Sequence, residues 1–205
     1  MTPTEARVAS FYDAIASGGQ LMVKDINFWR REFGLLTENQ PRNFFDLGCG
    51  DGREVRLCRE VWGSLDGYYG LDLSAGMLKY VKSFAPEAKL IRARLGELPF
   101  ANASLPVVWA AASYLHVDRD QITGALEELF RVMAVKGHGF ISLKTAPQNP
   151  DYNQNLVTYY ELAEFGRYLR EAGFDVTCKI SDPQRDPRGV TWLGFFFTKP
   201  EQSTS

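Results

Sequence analysis

Apolar positions in this chain fall into short unbroken runs that alternate with stretches of helical spacing, most clearly after Pro41. Asn43 to Leu47, with Phe44, Phe45 and Leu47 as its apolar positions, is bounded by Pro41 and by glycines and predicts a short buried strand. Behind the glycines Val55, Leu57, Cys58, Val61 and Trp62 recur at roughly helical intervals until Gly63 closes the segment. The plan then repeats, with a strand over Tyr68 to Leu71, Ser74 as N-cap, and Met77, Leu78, Val81 and Phe84 on one helical face. A third strand fits "KLIRA". A fourth fits "LPVVWAAAS", where Pro106 is tolerated at a strand's beginning. Ile122, Ala125, Leu126, Leu129, Val132 and Met133 share the face of the next helix, which has Asp118 or Asp120 near its start. "GFISLK" reads as a fifth strand, and Leu162, Phe165, Leu169 and Ala172 stripe a helix that ends at Gly173. Two final strands, "DVTCKI" and "TWLGFFFTK", are joined by the polar "SDPQRDPRG" with no helix between them.

Alternating strands and helices predict a parallel, doubly wound sheet with right-handed crossovers, while the helix-free last pair predicts an antiparallel edge. The expected fold is therefore α/β, a Rossmann-like sheet with helices on both faces. No repeat, low-complexity stretch or flexible linker divides the chain. The expected organisation is a helical N-terminal cap over residues 1–40, the body of the domain over 41–200 and a short tail over 201–205.

Composition narrows the class. Of the 205 residues 45% are apolar and 13% aromatic, which excludes a disordered chain. Lysine and arginine number 23 against 25 acids, so the broad positive field of a general nucleic-acid binder is missing. The first twenty residues carry charges and no unbroken apolar segment, and no window reaches the length of a membrane span. A cytoplasmic protein without membrane or nucleic-acid partners is expected. Cys49, Cys58 and Cys178 show neither CxxC nor Cys/His ligand spacing, so no metal site is expected.

The candidate chemistry sits in "FFDLGCGDGRE", where Gly48, Gly50 and Gly52 follow the first strand directly. In an open α/β sheet the first strand-to-helix loop is where backbone comes nearest a nucleotide-like ligand. Asp46 precedes the glycines, Asp72 ends the second strand about twenty residues after them, and Arg53 replaces the third glycine of a dinucleotide fingerprint. Asp72 suits ribose hydroxyls. A carboxylate at Asp46 sits badly beside a pyrophosphate and well beside an ammonium or sulfonium, so the pattern favours a cationic nucleoside over NAD or FAD. Cys49 reads as a small residue beside the tight turn.

These residues resemble a family. "FFDLGCGDGR" looks like the first motif of class I S-adenosylmethionine-dependent methyltransferases, "YYGLDLSAGML" like their acidic second-strand motif, and "GELPFANASLPVVWAAASYLHV" like the fourth-strand block of the small-molecule branch. The resemblance covers nearly everything after about residue 40. It implies a seven-stranded sheet with an antiparallel last strand, S-adenosyl-L-methionine as cofactor, and methyl transfer to a small-molecule acceptor. It further implies that Asp46, Gly48, Cys49 and Gly50 line the methionine portion, that Asp72 takes the ribose hydroxyls, and that Leu73 and Met77 pack near the adenine. Leu95 and Gly96 border the base by their backbone, Ala112 or Ser113 faces the methionyl group, and Tyr12 in "VASFYDAIA" caps the cofactor. Where family members commonly carry an acid for the adenine amino group, this chain has Arg94, which only donates. Adenine recognition then passes to backbone or to Glu97.

Methyl transfer from a sulfonium is an in-line displacement, so the protein mainly aligns donor and acceptor and excludes water. His116, after the fourth strand, is the candidate general base, and the alternative for it is a structural role near Asp118. His138 is expected on a solvated turn before the fifth strand. Tyr114, Tyr152, Tyr159 and Tyr160 are candidates to wall an acceptor pocket. Two other functions compete with methyl transfer: a protein of the same fold with a binding or non-methylating role, and a nicotinamide oxidoreductase.

Overall fold

A computed structural model describes residues 1–19, 25–38, 43–146, 156–182 and 190–201. Within these described residues seven strands form one sheet in the order β3-β2-β1-β4-β5-β7-β6. In chain order the elements are α1 (Pro3–Ser17), α2 (Arg30–Thr37), β1 (Phe44–Leu47), α3 (Arg53–Trp62), β2 (Tyr68–Asp72), α4 (Ala75–Phe84) and β3 (Lys89–Arg92). Then come β4 (Leu105–Ala111), a 3₁₀ turn over Tyr114–His116, α5 (Ile122–Val132), β5 (Met133–Lys144), α6 (Leu162–Glu171), β6 (Asp175–Asp182) and β7 (Trp192–Thr198). Strands β1 to β5 pair in parallel, and β7 runs antiparallel to both neighbours, β5 and β6.

The central strands β1 and β4 are buried on both faces, and the side chains of the sheet divide between two cores with a period of two. Phe44, Tyr68, Val107 and Trp109 join Trp29, Phe33, Val55 and Val81, so α2, α3 and α4 cover one face. Phe45, Leu47, Leu71, Val108 and Ala110 join Leu126, Leu129, Phe165 and Leu169, which puts α5 and α6 on the other. Ser74 caps α4 as its sequence position predicts, its hydroxyl accepting from the Met77 amide at 3.0 Å.

Two local expectations are corrected. Met133 does not extend α5: its backbone is already extended (φ −65°, ψ 137°), and it pairs with Leu105 as the first residue of β5. The expected turn before the fifth strand is instead an irregularity inside β5, where the register jumps from Leu105–Met133 to Val107–His138. Pro106 lies in that jump and has no N–H to give the ladder, while Lys136 takes a φ of 62°. His138 is therefore a partly buried strand residue opposite Val107 and Thr198 rather than a solvated turn residue.

Candidate functional site

Every parallel strand delivers its carboxyl end to the same edge of the sheet, and the loops there enclose a cavity of about 360 Å³. Its floor crosses the strand ends in order: Ala112 and Ser113 after β4, Gly48 to Gly50 after β1, Asp72 at the end of β2, and Ala93 to Gly96 after β3. Thr2, Glu5, Val8 and Tyr12 of α1 also line it.

The glycine loop follows from positive backbone angles that only glycine adopts freely: φ is 90° at Gly48, 49° at Gly50 and 78° at Gly52. A Cβ on Gly48 would lie 2.3 Å from the Ser113 Cβ, so this glycine lets the β1 loop close against the end of β4. A Cβ on Gly50 would meet nothing within 4 Å, which leaves that backbone open to a ligand. The Asp72 carboxylate accepts from the Gly50 amide at 2.8 Å and from the Ser74 amide at 2.8 Å, and so ties the loop to the start of α4. Burial raises its pKa, opposed by those same amides.

Of the residues expected to meet the cofactor, Tyr12, Gly48, Cys49, Gly50, Asp72, Leu73, Met77, Leu95, Gly96, Ala112 and Ser113 all line the cavity, as does His116. Asp46 is the exception. It shares a face of β1 with Phe44, is 1% exposed, and accepts from the Tyr68 hydroxyl at 2.8 Å beneath the loop. Burial and the neighbouring Glu54 carboxylate push its carboxyl well above the usual range. The argument that Asp46 itself opposes a ligand phosphate is thus corrected. Acids that do reach the wall are Glu5, Asp51, Glu54, Asp72 and Asp118, against two cations, Arg53 and Arg94.

Arg53 and Glu54 form a buried pair at 2.5 Å, and the Glu54 carboxylate also accepts from the Trp109 indole at 2.9 Å. Sequence marked Arg53 only as a broken fingerprint, yet the residue lines the glycine-loop end of the cavity. Burial pushes the Cys49 thiol up, which keeps it protonated, so it acts as a small wall residue. Ser113 is 6% exposed, and its hydroxyl has no hydrogen-bond partner among the described residues.

His116 is held at both ring nitrogens. Nδ1 lies 2.6 Å from the Leu156 carbonyl, which only accepts, so Nδ1 carries the proton and Nε2 accepts from the Tyr12 hydroxyl at 2.8 Å. Burial lowers the pKa of the ring to about 4, and the charge of Lys144 works in the same direction. Tyr12 is shifted up by burial and by Asp72. The pair is a neutral imidazole capped by a neutral phenol. Asp118 is not its partner.

The proposed aromatic wall is largely absent. Tyr114 and Tyr160 are 0% and 1% exposed within the core on the α5 and α6 side, and Tyr159, partly buried, does not line the cavity. Tyr152 lies outside the described residues. Among the described residues no group of three or more His, Cys, Asp or Glu side chains is placed to hold a metal ion, and no helix is long and apolar enough to cross a membrane.

A sheet of this order, with its cavity at the first glycine loop and an acid ending β2, resembles that of the class I S-adenosylmethionine-dependent methyltransferases. Comparison with known proteins agrees: residues 44–137 match the family model described as methyltransferase domain, a likeness that supports S-adenosylmethionine as cofactor. A Mycolicibacterium smegmatis protein named probable S-adenosylmethionine-dependent methyltransferase is 26% identical over 165 residues, 73% of this chain and 60% of that protein. The chain thus spans about three-fifths of that curated relative's length. Among solved structures, the 1,6-didemethyltoxoflavin-N1-methyltransferase of Burkholderia thailandensis superposes with a TM-score of 0.76 at 19% identity, covering 98% of this chain and 92% of its own. The cyclase SpnF superposes at 0.79 with 15% identity, covering 98% and 97%. At such identities these likenesses show the fold.

The residues present fit the cofactor. The open backbone at Gly50, the Ser113 hydroxyl, unpartnered among the described residues, and the Asp72 carboxylate lie along one cavity, in an order that matches a methionyl group followed by a ribose. Asp72 would hold the ribose hydroxyls. Gly48, Gly50, Ala112 and Ser113 would hold the methionyl group.

Proposed function

We propose that this protein transfers a methyl group from S-adenosylmethionine to a small-molecule acceptor. The observation that carries the reading is the continuous cavity from the end of β4 to the end of β3, roofed by α1, which the expected donor-binding residues and the Tyr12–His116 pair line together. The bound donor supplies a methyl group made electrophilic by its sulfonium. Everything else is positioning: the glycine loop and Asp72 orient the donor, and α1 excludes water from the cavity's open side.

The state of His116 bears on the acceptor. A base with a pKa near 4, its lone pair taken up by Tyr12, is poorly matched to removing a proton at neutral pH. The geometry favours an acceptor whose attacking atom already carries a free lone pair or a nucleophilic carbon. The named activities of two solved neighbours, methylation of a didemethyltoxoflavin nitrogen and of geranyl diphosphate at carbon, support a small acceptor of this kind.

A second reading, a non-methylating role on the same fold, is favoured by the likeness to a cyclase. Titration calorimetry separates the readings. Binding of S-adenosylmethionine and S-adenosylhomocysteine, weakened about tenfold or more by Asp72→Ala, is expected, since a charge-assisted hydrogen bond to ribose is worth about 1.5 kcal/mol or more. Turnover of the donor with at least one member of a panel of small nitrogen and carbon nucleophiles completes the case. No binding at millimolar donor sinks it, and binding without turnover across the panel transfers support to the second reading.

A further inference from the structure

Arg94 stands after β3, where members of the family that the chain resembles commonly carry an acid for the adenine amino group, and a guanidinium has no acceptor to offer. The structure places a carboxylate there by another route. Glu5, in the first turn of α1, lies 3.6 Å from the Arg94 guanidinium and lines the same cavity as Ala93, Arg94 and Leu95. Its Oε2 accepts from the Thr2 amide at 2.6 Å, which fixes the carboxylate, while Oε1 faces Arg94. Glu97, the other acid paired with Arg94, does not line the cavity, and its side chain is 76% exposed.

The strand order says which part of the ligand meets this corner. With the ribose at Asp72 on β2 and the methionyl group toward β1 and β4, the base extends to the loop after β3, opposite the first turn of α1. We infer that Glu5 of the N-terminal helix accepts from the exocyclic amino group of the adenine, Arg94 serving as the positioning residue that holds the carboxylate in place. The inference rests on the cofactor reading above. It makes recognition of the base depend on α1 lying across the cavity, because the acceptor is carried by the cap and not by the sheet.

The test uses the full chain and two ligands in calorimetry: S-adenosylhomocysteine and its purine-riboside counterpart, in which hydrogen replaces the amino group. Wild type should prefer the amino ligand by about tenfold, the scale of one hydrogen bond to a charged acceptor. Glu5→Ala should bring that ratio close to one while leaving affinity for the deamino ligand within about twofold, and Glu5→Gln, whose amide oxygen still accepts, should keep part of the preference. Glu97→Gln and Asp118→Asn should leave the ratio unchanged. An unaltered ratio in Glu5→Ala, or an equal loss for both ligands, overturns the assignment and returns Glu5 to capping α1. Equal binding of both ligands by wild type overturns any reading of the amino group. Failure of wild type to bind either ligand instead removes the cofactor reading beneath it.

Discussion

At the scale of single residues the site depends on what glycine permits. Gly48 combines a φ of 90° with a neighbour that a Cβ would strike at 2.3 Å, whereas Gly50 has a φ of 49° and open space. Gly48→Ala should therefore destabilise the fold by roughly 2–4 kcal/mol, through backbone strain plus overpacking against Ser113. Gly50→Ala should cost roughly 1–2 kcal/mol of strain and act mainly on ligand affinity. Thermal unfolding beside calorimetry distinguishes the two, and similar melting temperatures for both variants would contradict the assignment. The spacing of Gly48, Gly50 and Asp72 was readable before any coordinates, because a tight turn after a strand imposes residue types. Asp46 was misplaced for an equally physical reason: alternation along β1 turns it away from the ligand toward Tyr68, and which face of a strand that is buried on both sides meets the cavity is not written in the strand.

At the scale of elements, α1 is the feature the apolar pattern left least defined. Polar ties among the described residues hold it: Glu5 to Arg94, Tyr12 to His116, and Asp13, whose carboxylate accepts from the Ser74 hydroxyl at 2.5 Å and the Gly76 amide at 2.7 Å. The last tie caps α4 from another helix and explains Gly76, where a Cβ would come within 2.9 Å of the Asp13 carboxylate. Asp13→Ala should lower stability by about 1–2 kcal/mol, the cost of a lost N-terminal cap. It should also loosen α1, seen as trypsin cleavage after Arg7 accelerating several-fold; unchanged proteolysis would show that the tie does not hold the helix. None of these partners is near in sequence, so no periodicity announces them. The strands and the helices α3 to α6 were legible by contrast, since each displays its own apolar period and its own stop signals, apart from the junction of α5 and β5, where Pro106 on another strand decides the register.

For the whole molecule, the buried His116 links stability to pH. Its folded pKa of about 4 is depressed below the ordinary value of 6.5, so the unfolded chain binds more protons between those values. His116 accordingly contributes stability that is fully present above pH 6.5, is lost as pH falls, and levels off below about pH 4. Asp46 and Asp72, shifted upward, work in the opposite sense, because the folded chain then holds protons that the unfolded chain has released. The clean observable is a difference. Relative to His116→Gln, wild type should lose about 2 kcal/mol between pH 7.5 and pH 5 in urea unfolding, from 1.36 kcal/mol per unit of pKa shift. Parallel curves for the two proteins would mean that the ring is not held neutral by Tyr12 and Leu156.

The sequence by itself determined the α/β class, the order of strands and helices, the antiparallel ending, and a glycine loop followed at a fixed interval by an acid, because local propensity and backbone geometry act over a few residues. Only the tertiary structure decided that Asp46 faces inward, that Tyr114 and Tyr160 belong to the core, that Tyr12 caps His116, and that Glu5 reaches the corner left without an acid after β3. Those facts depend on which distant segments the sheet brings together, and burial, not spacing, sets the charge each group carries.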